Sequence, residues 1–100
     1  MVNICIVGYG YWGPKLVRNF ISCPGVARVS VCDTLEKNRM AAARDYPGVQ
    51  IYDDIALVLK DETINAVALA VPVGAHYTLA MQCLMAGKNV LVEKPLTIKY

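Results

Sequence analysis

The chain has 100 residues, of which 56 % are apolar and 18 % charged, and a formal net charge of +2. That length and composition describe one compact domain, with no room for a second. Its ten basic and eight acidic residues are scattered, so there is no basic stripe for nucleic acid, no bilayer-length apolar run and no basic leader before the first apolar segment. A cytoplasmic protein is expected, with neither nucleic acid nor membrane as partner.

In chain order, NICIVG (Asn3 to Gly8) is a near-continuous apolar run closed by glycine, as suits a strand covered on both faces in a parallel sheet. Pro14 fits the first turn of a helix, and Leu16, Val17, Phe20 and Ile21 then recur at helical spacing until CPG at Cys23 to Gly25. Arg28 to Cys32 reads as a second strand and Leu35 to Asp45 as a second helix. After the YPG break, VQIY is a short third strand, and Asp53 or Asp54 caps a helix over Ile55 to Lys60. Ala66 to Val71 is a fourth strand, His76 to Ala86 a fourth helix closed by Gly87, and Asn89 to Val92 a fifth strand. This rhythm implies right-handed crossovers and a parallel sheet with helices on both faces. If the glycines of GYGYWG mark the dinucleotide fold, it is a Rossmann-type doubly wound sheet with its strands in the order 3-2-1-4-5.

Four cysteines, Cys5, Cys23, Cys32 and Cys83, form no CxxC pair and no His/Cys cluster, so buried reduced thiols are expected and no metal. After VEKP, Leu96 to Tyr100 are too few for another element. The 1–100 segment therefore reads as a domain trimmed from a larger protein. Strand five would then be a sheet edge, and self-association as a two-fold dimer through it or through the helix faces beside it is expected.

The glycines of GYGYWG, Gly8, Gly10 and Gly13, follow the first strand and open the first helix. In that setting Gly8 permits a tight turn, Gly10 lets backbone approach a pyrophosphate, and Gly13 lets the helix pack on the sheet. The helix's first N–H groups and its dipole then face the phosphates. Asp33, at the end of strand two, stands where a carboxylate accepts hydrogen bonds from both ribose hydroxyls and repels a 2′-phosphate. NAD is thus favoured over NADP, although Lys37 and Arg39 lie close by. The alternative role for Asp33 is a turn residue capping the next helix.

Three further stretches, AVPVGAHYTLA (Ala70 to Ala80), AGKNVLVEKPL (Ala86 to Leu96) and GYGYWGPKLVRNF, together with Asp33, resemble the N-terminal NAD-binding domain of the Gfo/Idh/MocA oxidoreductases. The resemblance runs over essentially the whole chain, and the Glu-Lys-Pro after strand five is its most specific element. It implies that a C-terminal α/β substrate domain, absent here, supplies the proton-accepting His or Asp, so that this segment alone is inactive. Lys94 is implied as the catalytic contact to the sugar hydroxyl or the nicotinamide ribose, stabilising developing alkoxide charge. Glu93 would hold cofactor or orient that lysine, and Pro95 would follow a cis peptide. Val71 and Pro72, at the end of strand four, and His76, at the start of helix four, are implied as cofactor contacts.

Tyr11 and Trp12 look like the branch that acts on nucleotide-linked sugars. Trp12 would either reach toward substrate or pack as an ordinary aromatic. Asn89 and Asn65 depart from the family pattern and read as surface variation. The implied function is hydride transfer between a hydroxyl carbon of a sugar, free or nucleotide-linked, and NAD. Two alternatives stand beside it: an NAD-responsive sensor without chemistry, and a hydrolase or lyase that uses transient oxidation.

Overall fold

The computed structural model describes the backbone of residues 2–71 and 73–92, and the side chains of all of these except 73–76 and 92. Nine elements follow one another as β1 (Val2–Val7), α1 (Gly13–Ile21), β2 (Val26–Cys32), α2 (Glu36–Asp45), β3 (Gln50–Tyr52), α3 (Ile55–Lys60), β4 (Ala66–Leu69), α4 (Val73–Met85) and β5 (Asn89–Val92). Five parallel strands form one sheet in the order β3-β2-β1-β4-β5. This is the expected order, and it leaves β3 and β5 at the edges of the described sheet.

The central strands are mostly apolar, in their buried halves above all, because each of their faces meets its own layer of helices. Successive strand side chains point to opposite faces. Ile4 and Ile6 of β1 therefore join Val29 and Val31 of β2, Ala66 and Ala68 of β4, Val17 of α1 and Ala42 of α2 in one core. Cys5, Val7, Cys32, Val67 and Leu69 face the other way, against Val58 of α3 and Cys83 of α4. Two thin cores, one on each side of the sheet, hold the domain together. Burial suppresses ionisation of the Cys5 and Cys32 thiols, pushing each up to about 12.

The sequence reading is corrected at several boundaries. β2 begins at Val26, because Val2 of β1 offers it a partner. β4 ends at Leu69 rather than Val71, although the Ala70 N–H still bonds Val7 O at 2.8 Å. α2 begins at Glu36, with Leu35 extended as its N-cap residue. β3 omits Val49, whose N–H closes a turn on Tyr46 O. Asp54, rather than Asp53, caps α3, its Oδ1 accepting from the Ala56 N–H at 2.9 Å. α4 starts at Val73, before His76, and a β-branched residue followed by glycine conceals that first turn from propensity. Ile21 is helical as expected but 48 % exposed, since it is the last helical residue and the chain after it is exposed through Gly25. Cys23 lies in that same segment and is exposed, so three of the four thiols are buried, not all.

Below the sheet, at the strands' amino ends, Asn65 and Asn89 are exposed as expected, and Asn65 belongs to a polar network. The Asn65 side chain accepts the Asn3 N–H at 2.8 Å, and the Asn3 amide donates to Thr63 O at 2.8 Å, which ties the β4 entrance to β1. Buried Lys88 donates to Asp61 O at 2.7 Å and to Ile64 O at 2.8 Å. Asp61 itself accepts from the Thr63 hydroxyl and N–H and from the Tyr52 hydroxyl. These hydrogen bonds, the Thr63 hydroxyl first, hold its carboxyl down at about 2. A carboxyl depressed in the folded state adds stability above its ordinary value of 3.8 and loses it as pH falls toward 2. Melting temperature should therefore drop across that window, and Asp61→Asn should drop less. An unchanged acid limb in the variant would remove Asp61 from this role.

Among the described residues no helix is long and apolar enough to cross a membrane.

Candidate functional site

The cleft sits at the carboxyl end of the sheet, where β1, β2 and β4 stop. Three glycines come from one loop, yet the fold asks different things of each. Gly8 has φ +104°, and its N–H bonds Cys32 O at 2.8 Å. A Cβ there would stand 2.8 Å from Ala70 O and 3.0 Å from Val71 Cγ1. Gly13 opens α1 against this turn, and a Cβ on it would stand 2.2 Å from Gly8 O. Gly8 and Gly13 are thus required by the protein's own packing. Gly10 is not. It is exposed, its φ is not positive, and none of the described residues beyond its chain neighbours lies within 4 Å of where its Cβ would be. None of the described residues demands a bare backbone at Gly10, which suits a cradle for phosphate.

α1 presents its amino end beside this loop. Trp12 is its N-cap residue, no side chain caps it, and its first turn holds no acid. Pro14 removes one donor, and the Lys15 and Leu16 N–H groups both return to Trp12 O at 3.1 Å. A helix end without its own carboxylate favours an external anion.

Asp33 follows β2 directly and faces the loop. Its Oδ2 accepts the Tyr9 N–H at 2.7 Å and the Asn38 amide at 3.0 Å, and its Oδ1 accepts the Leu35 N–H at 2.9 Å. The carboxylate therefore organises the start of α2, the alternative role read from the sequence, while also lining the cleft. The Arg39 guanidinium is turned onto Asp33 O at 3.1 Å and Thr34 O at 2.9 Å.

Tyr9 was not singled out by the sequence reading. Lying between two glycines, it is only 3 % exposed, and its hydroxyl bonds Asp45 at the end of α2 at 2.7 Å. Burial and that carboxylate push its hydroxyl pKa up. One residue thus fastens the glycine loop to Asp33, ahead of α2, and to Asp45 at the end of α2. An aromatic within a glycine turn was the available signal.

These residues enclose a cleft of about 490 Å³ bounded by Gly8, Gly10, Tyr11, Trp12, Asp33, Asn38, Ala70 and Val71. A smaller cavity of about 270 Å³ adjoins it across Gly8, Asp33, Thr34 and Val71, and reaches Asp54 and Leu79. A third hollow of about 430 Å³, between α2, β3 and α3 at Met40 and Leu57, touches none of the glycines. Tyr11 is 75 % exposed at the rim, edge-on to Trp12 with ring centroids 4.8 Å apart. The Lys15 ammonium stands 5.0 Å from the Trp12 centroid and 5.9 Å from that of Tyr11.

Of the residues expected at a cofactor site, Gly8, Gly10, Tyr11, Trp12, Asp33 and Val71 line this one cleft, with Gly13 behind the loop. His76 belongs to the first turns of α4, and its side chain is not described. Pro72, Glu93, Lys94 and the Lys94–Pro95 bond lie outside the described residues.

The family model for an "Oxidoreductase family, NAD-binding Rossmann fold", Gfo/Idh/MocA, matches residues 2–100. Inositol 2-dehydrogenase 2 of Saccharopolyspora erythraea is 32 % identical over 96 residues, covering 95 % of this chain and 28 % of that protein. The scyllo-inositol 2-dehydrogenase (NADP(+)) IolW of Bacillus subtilis is 28 % identical over 96 residues, covering 96 % and 26 %. Among solved structures, an NAD-binding protein from Listeria innocua superposes with a TM-score of 0.87 at 38 % identity, over 96 % of this chain and 28 % of that one. The chain thus spans little more than a quarter of the length of these relatives. A parallel sheet in dinucleotide order, a glycine loop with one glycine the fold does not need, and a match over nearly every residue agree: the chain belongs to the Gfo/Idh/MocA oxidoreductase family, as its NAD-binding Rossmann fold.

Proposed function

We propose that the chain is the cofactor-holding domain of a longer dehydrogenase that oxidises a ring hydroxyl of a sugar or cyclic polyol with NAD. The observation that carries the reading is the convergence of Gly10, the uncapped start of α1 and Asp33 on one cleft. Gly8, Gly10 and the α1 amino end would hold the pyrophosphate, Asp33 the adenosine ribose, and Val71, with Pro72 and His76, the cofactor's nicotinamide side. Bound NAD supplies the hydride acceptor. Lys94 would donate to the reacting hydroxyl oxygen and stabilise alkoxide charge there, with Glu93 holding cofactor or orienting it. The inositol dehydrogenases among the relatives support the cyclic polyol class. The exposed Tyr11 beside Trp12 and Lys15 favours instead a sugar substrate carrying an aromatic base and negative charge, as a nucleotide-linked sugar does. The same reading includes a cytoplasmic setting and association of copies through the β5 edge.

The test follows NADH formation by the whole protein with myo-inositol, scyllo-inositol and a UDP-linked aminosugar acid. Turnover with one of them is expected, and Lys94→Met should lower kcat by about a hundredfold or more while NADH still binds. Tight NADH binding with no oxidation of any ring hydroxyl would favour a sensor instead.

A further inference from the structure

The Asp33 carboxylate is already heavily engaged. The Tyr9 N–H, the Asn38 amide and the Leu35 N–H all donate to it, at 2.7, 3.0 and 2.9 Å. An ionised carboxylate offers about four lone-pair sites. With three taken, it has room for one ribose hydroxyl, whereas the sequence reading asked it to accept two.

Asn38 stands beside it. It belongs to the first turn of α2, is half-buried, and lines the same cleft as Gly10, Trp12 and Asp33. Chemistry fixes which way its amide points. A carboxylate donates nothing, so the nitrogen end must face Asp33 and the oxygen end must face away. An acceptor oxygen is thereby held near the carboxylate, on a residue that lines the cleft. Arg39 does not take this place, because its guanidinium is turned onto the Asp33 and Thr34 carbonyls.

We propose that Asn38 is a specificity-determining residue that reads the adenosine ribose together with Asp33, the carboxylate accepting one hydroxyl and the amide oxygen the other. The proposal rests on the ribose reading of Asp33 given above. It adds a second reason for NAD: a 2′-phosphate would meet two acceptor oxygens in place of one.

The experiment titrates NADH and its two deoxy analogues, which lack the adenosine 2′ or 3′ hydroxyl, against the parent protein, Asn38→Leu and Asp33→Asn. The parent should bind each analogue about five- to tenfold more weakly than NADH. Asn38→Leu should bind NADH about five- to tenfold more weakly and become indifferent to one hydroxyl, while Asp33→Asn becomes indifferent to the other. Asn38→Ala, which adds no bulk, should repeat the pattern if leucine disturbs the helix. Equal losses for all three ligands in both Asn38 variants would reduce Asn38 to a brace for the loop and overturn the proposal, as would unchanged NADH affinity. Asp33→Asn with unchanged NADH affinity would instead overturn the ribose reading itself, and the proposal with it.

Discussion

Gly13→Ala is expected to destabilise the protein by about 3 kcal/mol or more, because its Cβ would overlap backbone that cannot yield. The new atom would lie 2.2 Å from Gly8 O, and Gly8 is itself pinned by φ +104° and by Ala70 O behind it. Relief would require moving α1 off the sheet, away from the core that Val17 fills. Gly10→Ala should behave in the opposite way. Its Cβ enters open space at an ordinary φ. The melting temperature should stay within about 3 °C of the parent's. NADH affinity should nevertheless fall at least about tenfold, because the methyl occupies the approach of the pyrophosphate. Calorimetry and cofactor titration on the two variants separate fold from binding. A Gly10→Ala protein that binds NADH as the parent does would mean that the phosphates pass elsewhere.

Asp33→Asn should collapse the preference for NADH over NADPH by at least about tenfold, since hydrogen bonds to a charged group contribute about 1.5–3 kcal/mol and the repelling charge is also lost. The ratio of the two affinities is the useful quantity. Asp33 also holds the Tyr9 and Leu35 N–H groups, so the variant loses some stability, but that loss weighs on both cofactors alike. NADP use by one inositol dehydrogenase relative shows that the fold itself does not dictate the choice. A ratio unmoved by the substitution would leave Asp33 as a turn residue only.

The sheet was legible because its cause is written locally. Continuous apolar runs in β1 and β4 report cover on both faces, and glycine or proline marks five of the eight crossings between elements. Gly8, Gly13 and Asp33 were legible for the same reason, since a turn, a close approach and a strand end each demand a residue type at a fixed offset. The contacts of Tyr9, Asn38 and Asn65 were not. Tyr9 reaches Asp45 across 36 positions, and the Asn65 side chain meets Asn3 across 62. Only the packed fold brings those partners together. Asn38 is nearer, five residues from Asp33. Yet nothing in its type says which lone pair it occupies, and that count changes how the ribose must be held. The exposure of Cys23 was hidden likewise, because burial there depends on what covers the end of α1.

The most direct test of the central claim is amide chemical-shift mapping of the chain on titration with NADH. The account predicts saturable shifts concentrated at Gly8, Gly10, Tyr11, Trp12, Asp33, Thr34, Asn38 and Val71, with the α2–α3 hollow at Met40 and Leu57 unmoved. Shifts gathered around Met40 and Leu57, or no saturable shifts at millimolar NADH, would contradict it.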